Sequence, residues 1–291
     1  RQRGRLGASS YLVMPSMDWR GLVRCYLLRD AAGPLDPAGS WLPASASASF
    51  HFVLGGSSTY ASSGQLRAYG PEAFVAGPSS HAVATHSTSP LSTVSVVLWP
   101  GVLHHFGLLN TSALADESVT AHSAGLPGLG WLVERMAHAG PEAAVRALED
   151  GLRALLRRHE GRRLSPSFHV ADAGRLVALL REEGPRAAAA HAGISLRQFQ
   201  RRFQLQFGTT PKECQRLARF DRFLVLARTR GVVRGQLADL ALELGYYDQS
   251  HLHNEFKRFA GFTPLALPRY ASGSAPGAWV FRATGPVIRP F

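Results

Sequence analysis

Arg197, Gln200, Arg201 and Gln204 recur at helical spacing, so a helix across them carries all four on one face. Arginine can donate two parallel bonds to O6 and N7 of guanine, and glutamine pairs in the same two-pronged way with N6 and N7 of adenine. A polar Arg/Gln face that begins at a helix N-terminus is therefore suited to reading base edges in a major groove. On a structural protein the same face is only a solvated surface, and one helix alone does not decide between the two. The opposite face carries Phe199, Phe203 and Phe207 at intervals of four, a stripe that reads as core. Gly193 lies just upstream, where a preceding helix has to end and reverse. Ser195 is a good N-cap, and with Gln198 it has the spacing of a capping box.

The segment has a second copy 53 residues further on. Ser195-Leu-Arg-Gln-Phe-Gln-Arg-Arg-Phe203 aligns with Asp248-Gln-Ser-His-Leu-His-Asn-Glu-Phe256, and Gly208-Thr-Thr-Pro211 aligns with Gly261-Phe-Thr-Pro264. Each copy follows an Ala-rich helix-forming stretch and a glycine, Gly193 or Gly245, and the second turn is one residue longer. Leu252 and Phe256 repeat the apolar stripe. Helix, glycine turn and a second helix with a polar face is the pattern of a helix-turn-helix. Two copies at a fixed offset favour DNA over a merely solvated face. Between them, Lys212–Thr229 carries Leu217, Phe220, Leu224 and Ala227 on one side, which predicts a helix of about 16 residues, roughly 24 Å long. Such a strut can hold two reading helices about one DNA turn apart, near 34 Å.

The charge agrees. The 291-residue chain has a formal net charge of +12, and residues 168–270 hold 16 Lys and Arg against 9 Asp and Glu, a net +7. A balance of this sign points to a polyanion. Nearly all the cations are arginines, Lys212 and Lys257 being the only lysines. Arginine suits bidentate contacts to phosphate and guanine, although an arginine bias also follows from genome composition alone.

At these residues the chain resembles the C-terminal domain of AraC/XylS-type transcription regulators. The second half carries the more specific motifs: Ala238-Asp-Leu-Ala241, Gly245-Tyr-Tyr-Asp-Gln-Ser-His-Leu252, Phe256-Lys-Arg-Phe259, Gly261 and Thr263-Pro264. The resemblance spans about Phe168 to Tyr270 and implies a seven-helix domain with two recognition helices. By motif position it implies base-reading roles for Arg197, Gln200 and Arg201 in the first. In the second it implies them for Gln249, Ser250, His251, His253 and Asn254. Gln204 extends the first face, and Arg258 is expected to contact phosphate, weakening all DNA sequences alike when lost. The chain departs from the family pattern at Ala188, where leucine is frequent, and at Asn254, where arginine is frequent.

The first hundred residues read differently. Gly33-Pro34, Gly55-Gly56, Gly70-Pro71 and Gly77-Pro78 punctuate short β-like runs, the clearest being Gly21–Arg29, Ser49–Leu54, Ala73–Ala76 and Ser92–Trp99. Phe50, Phe52 and Leu54 alternate, as do Val94, Val96 and Leu98. Many short strands separated by Gly/Pro/Ser turns predict a sandwich or small barrel. Ala44–Ser49 and Ser57–Ser63 read as loops, and residues 1–10 as a frayed end. Phe74–Gly77 followed by Val96-Val-Leu-Trp-Pro-Gly101 is similar to the β-rich sensor domain of some of these regulators, which implies a cupin-like barrel or half-barrel able to bind a small-molecule effector. Trp131–Ala139 and Glu142–His159 predict two amphipathic helices, with Pro141 opening the second. They are either packed on the barrel or a homodimer interface.

The expected fold is thus α+β in two domains: a β-rich unit over 11–160, a linker at 161–167, a double helix-turn-helix unit over 168–270, and a loosely ordered tail at 271–291. The expected partners are double-stranded DNA, a small-molecule effector and a second copy of the chain, with no membrane. His51, His81, His86, His104, His105 and His122 lack metal-ligand spacing, so neither a metal nor a cofactor is expected. No Gly-x-Ser-x-Gly or Gly-x-Gly-x-x-Gly is present to suggest a serine nucleophile or a dinucleotide site. Two distant cysteines, Cys25 and Cys214, fit a reducing cytoplasm. The alternatives are a small-barrel enzyme domain fused to the DNA-binding unit, and a purely structural dimerisation module.

Overall fold

A computed structural model describes residues 9–31, 40–62, 65–88, 90–108, 110–159, 168–232, 234–272, 278–279 and 287–288. The N-terminal strands are β1 (Ser9–Val13), β2 (Val23–Ala31), β3 (Ser40–Leu42), β4 (Ser49–Gly55), β5 (Ser58–Ser62), β6 (Gln65–Tyr69), β7 (Ala73–Ala76), β8 (Val83–Ser87), β9 (Leu91–Leu98) and β10 (Ser118–Thr120). Helices α1 (Gly130–Ala137) and α2 (Pro141–His159) follow. Two dipeptides near the C-terminus, β11 (Ala278–Trp279) and β12 (Val287–Ile288), return to this region. One sheet runs β10-β7-β4-β9-β2-β1-β12 and the other β11-β3-β8-β5-β6.

Of the sandwich or barrel expected, the chain forms two sheets, and among the described residues no ladder joins them into a closed barrel. Alternation in β4 and β9 explains how their sheet is covered. Phe50 and Phe52 point with Val94, Val96 and Leu98 into a core completed by Phe106 and by Leu132, Met136, Leu148 and Leu152 of α1 and α2. Between them, His51 and Val53 point the other way. There Phe74 of β7 meets Tyr60 of β5 and Tyr69 of β6, with Tyr69 stacked on Phe74 at 4.0 Å between ring centroids. Aromatic rings from both sheets thus meet in the space between them. Gly151 lets α2 cross close over α1, because a Cβ there would sit 2.6 Å from the Leu132 side chain. Glu149 of α2 accepts bonds from Tyr26 of β2 at 2.8 Å and from Ser16.

Several expectations change. Ser57–Ser63 holds strand β5 rather than a loop: Ser58–Ser62 pairs with β6 and β8, and Ser58 and Ser87 share a hydroxyl bond at 2.9 Å. Ser9 and Ser10 of the expected frayed end pair with Asp30 and Arg29. In the tail, Trp279 pairs in parallel with Trp41, and Val287 with Leu12. Residues 161–167, read as a linker, lie outside the described residues.

His51 ties burial to pH. Its ring stacks on Phe74 at 4.7 Å, Nε2 lies 2.7 Å from the Ser49 hydroxyl and Nδ1 2.8 Å from the Ser95 hydroxyl. Burial lowers its pKa to about 4. Burial, together with His104 and His169, lowers that of His105 to about 4. The unfolded chain therefore binds these protons first. The contribution of His51 is complete above about pH 6.5 and is lost as pH falls toward about 4, roughly 2 kcal/mol being gone by about pH 5. Urea midpoints of the wild type should fall between pH 7 and pH 5, and His51→Gln should flatten that slope. An equal slope in the variant would remove His51 as a source.

The C-terminal region contains seven α-helices among the described residues, the number the resemblance implies: α3 (Val170–Glu182), α4 (Pro185–His191), α5 (Leu196–Phe207), α6 (Pro211–Arg230), α7 (Leu237–Glu243), α8 (Gln249–Ala260) and α9 (Leu267–Ser272). Two cores form. Leu176, Leu180, Phe199, Phe203 and Phe207 gather around α3, α4 and α5, and Leu217, Phe220, Phe223, Leu252 and Phe256 around α6, α7 and α8. Helix α6 joins both, through Cys214 in the first and Leu217 onward in the second. It has 20 residues, longer than expected, because Pro211 opens it behind the Thr210 N-cap and the chain stays helical to Arg230. At 1.5 Å per residue that is roughly 30 Å. Among the described residues, no helix is long and apolar enough to cross a membrane.

Candidate nucleic-acid interface

Each half of the repeat folds into a helix, a glycine turn and a second helix. Gly193 (φ 65°) and Gly245 (φ 75°) take the left-handed conformation that reverses the chain, which a side chain resists. Ser195 then caps α5 through the amide of Gln198, and the Gln198 side chain accepts from the amide of Ser195, completing the capping box. Asp248 caps α8 through the amide of His251 at 2.7 Å. Both helices end on a left-handed glycine, Gly208 and Gly261.

Phe199, Phe203, Gln206 and Phe207 turn inward from α5, so Arg197, Gln200, Arg201 and Gln204 are exposed together on its outer face. The offset of 53 carries these four onto Ser250, His253, Asn254 and Lys257 of α8. Ser250, Asn254 and Lys257 are exposed and His253 is half-buried beside them. Lys257 was not among the expected contacts. Its spacing of three from Asn254, matching that of Gln204 from Arg201, is the signal that finds it. Gln249 is exposed in the first turn of α8.

Two expected contacts are engaged elsewhere. Arg258 donates to Glu213 of α6 at 2.8 Å and lies over the Phe259 ring, so a phosphate would compete with a carboxylate for it. The Nδ1 of His251 accepts from the Tyr247 amide, its Nε2 lies 3.6 Å from Glu255, and its ring meets the edge of Tyr246. Both side chains contact the scaffold while staying exposed, at 42% and 41%.

The fixture behind α8 was not read from the sequence. Glu255, 1% exposed, accepts from Nε of Arg216 at 2.6 Å and lies 3.6 Å from Arg219. Arg216 also donates to Glu213 at 2.7 Å. Arg219 donates to the carbonyl of Gly245 at 2.9 Å and covers the Tyr246 ring. An alternating chain of charges thus ties the middle of α8 and the turn before it to α6. In the first half the position equivalent to Glu255 is Arg202, so the repeat offers no guide to it.

Elsewhere the histidines scatter. His104 is buried with Nδ1 on the carbonyl of Leu108, His81 lies 3.2 Å from Asp116, and His86 and His122 are exposed. Among the described residues no three His, Cys, Asp or Glu side chains are grouped to hold a metal. Cys25 and Cys214 are buried free thiols.

Two helix-turn-helix units, each presenting a polar face on its second helix and joined by one shared helix, define a double helix-turn-helix DNA-binding domain. Residues 188–269 match a protein family described as "Helix-turn-helix domain", and the C-terminal region is a domain of the AraC/XylS type. No curated protein matches the chain. Among solved structures it is similar to ToxT from Vibrio cholerae, with 10% identity over 77% of this chain and 90% of that one, at a TM-score of 0.43. Another is ToxT from Vibrio cholerae O395 bound to (E)-4-(8-methylnaphthalen-1-yl)but-3-enoic acid, with 11% identity over 77% and 91% at a TM-score of 0.44. The AraC-like transcriptional activator CuxR shares 13% identity over 73% and 79%, at a TM-score of 0.29.

Proposed function

We propose that the chain is a sequence-specific DNA-binding transcription regulator that reads two successive major-groove segments with α5 and α8. The observation that carries this is the equivalence of the two outer faces: Arg197, Gln200, Arg201 and Gln204 against Ser250, His253, Asn254 and Lys257. Gln249 adds a polar group at the start of α8. His251 and Arg258 enter as residues that position α8, with Arg258 reaching a phosphate only by leaving Glu213. A binding protein rather than an enzyme, acting where DNA is, in the cytoplasm, follows from this reading.

Arg201 is central on the α5 face. Arg201→Ala should cost about 1–3 kcal/mol at the preferred site and relax base preference at one position. Selection of a random-sequence duplex library by wild type and variant measures both. Uniform weakening across all sequences would make Arg201 a phosphate contact instead.

Control by a small-molecule effector belongs to the same proposal. Such a ligand changes DNA affinity only by its differential affinity for the two states, and DNA must change ligand affinity by the same factor. A bound ligand that leaves DNA affinity unchanged, a factor of one in both titrations, would exclude that coupling.

We also propose that the full chain is a homodimer through α1 and α2. The apolar stripe of α2 is buried against the sheet, so the support is exposed Trp131 on α1, its ring covered by Arg135 at 4.8 Å, together with the exposed mixed-charge residues Glu142, Arg146 and Asp150 of α2. Sedimentation at micromolar concentration should give twice the 31.4 kDa chain mass; the mass of one chain would end the idea.

A further inference from the structure

The N-terminal region touches both helix-turn-helix units at equivalent places. In the first unit the Phe207 ring lies against Gly101, where a Cβ would come within 2.8 Å of it. The turn at Gly208 abuts Pro78 and Thr111, which a Cβ would meet at 2.7 and 3.0 Å. In the second unit, 53 residues on, the turn at Gly261 abuts Trp41 and Ala82, at 3.2 and 3.4 Å from the same position. The last carbonyls of a helix have no partner within it. Here those of Arg258 and Phe259 are capped by the amides of Ala82 at 3.2 Å and Ala44 at 2.8 Å. The residue before β8 and the segment between β3 and β4 therefore supply the end cap of α8 together. Within that segment, Ala46 packs against both cores of the C-terminal region. A third tie reaches the strut: Arg24 of β2 donates to Asp221 of α6 at 3.0 Å.

All these contacts fall at the C-terminal ends of α5 and α8 or on α6, and none of them uses the exposed faces that carry Arg201 and Asn254. We infer that the N-terminal region is a splint for the two reading helices. By seating the ends of α5 and α8 it sets their separation and tilt, and so the spacing between the two DNA elements that the chain accepts. The α6 helix alone links the two units at one edge, whereas three points of support fix a plane. In DNA, one added base pair moves a groove by about 3.4 Å and turns it by about a tenth of a turn, so loosening the splint broadens spacing tolerance without changing which bases each helix reads.

The inference rests on the DNA-binding reading, and one measurement is independent of it. Spin labels at Leu205→Cys and Lys257→Cys, both exposed, report the distance between α5 and α8 in the full chain without DNA. The buried thiols of Cys25 and Cys214 do not compete for label, since burial pushes them up to about 11 and about 12. The label pair should give one narrow distance distribution. Ala82→Trp, which wedges the Gly261 turn away, and Arg24→Glu, which turns the Asp221 tie into a repulsion, should each broaden it. Should Ala82→Trp fail to fold, Arg24→Glu, at a half-exposed pair, decides alone. The random-duplex selection, run without labels, is the second arm. The otherwise unaltered chain should prefer one spacing by about tenfold over its one-base-pair neighbours, and the splint variants should accept several spacings with the same bases in each element. Narrow, unchanged distances in the folded variants would overturn the splint. Failure of the unaltered chain to select any DNA would overturn the DNA-binding reading while leaving the distance result to stand.

Discussion

DNA affinity of the full chain should fall about 10³- to 10⁵-fold between about 50 and about 200 mM salt, the range for roughly 6–10 phosphate contacts. Each neutralised phosphate releases condensed counterions, so the logarithm of affinity falls linearly with the logarithm of salt, by about 0.9 per contact. Exposed cations outside the base-reading pair Arg197 and Arg201 are available for this. Lys257 is exposed on α8, and Lys212 and Arg222 on α6. The N-termini of α5 and α8 add backbone amides, to which phosphate binds readily. Fluorescence titration of one labelled duplex across a salt series measures the slope. A slope near zero would mean that binding does not use the phosphate backbone, and the interface assigned to these faces would fall.

Glu255→Ala should destabilise the second helix-turn-helix unit by about 3–5 kcal/mol, the cost of removing one partner of a buried ion pair. The loss comes from what stays behind. Arg216 and Arg219, both mostly shielded from water, lose the carboxylate that balances them, and the Arg216 Nε loses its acceptor at 2.6 Å. Because Arg219 also holds the carbonyl of Gly245, the turn before α8 loosens along with the helix. Glu255→Gln keeps the bond from Arg216 but not the charge, and should lie between wild type and alanine. Amide exchange of α8 measures the effect locally, without requiring the whole chain to unfold in one step. A change below about 1 kcal/mol for the alanine variant would show that solvent replaces the carboxylate at little cost, and that the charge chain does not hold α8.

The two units were legible because each rests on local rules. The capping box at Ser195, the N-cap at Asp248, the left-handed glycines at 193 and 245, and the phenylalanine stripe of α5 all act within a few residues, and the repeat displays the pattern twice. Strands β4 and β9 were legible through their alternating apolar residues. Strand β5 was not, because Ser58-Thr-Tyr-Ala-Ser62 carries little apolar signal and is ordered by its two neighbouring strands. The tail dipeptides Ala278–Trp279 and Val287–Ile288 are apolar but too short to show a period, and their partners lie more than two hundred residues away.

By itself, then, the sequence determined the pair of helix-turn-helix units, their outer polar faces and their positive charge. Each of these follows from residue type and helical period, which need no distant partner. Tertiary structure alone decided which strands of the β-rich region share a sheet, that His251 and Arg258 contact the scaffold, and that Glu255 is buried among arginines. It also decided that the N-terminal region packs against the C-terminal ends of α5 and α8. Those outcomes depend on which surfaces meet across long stretches of chain, and a side chain's charge or spacing does not reveal whether water or another element will face it.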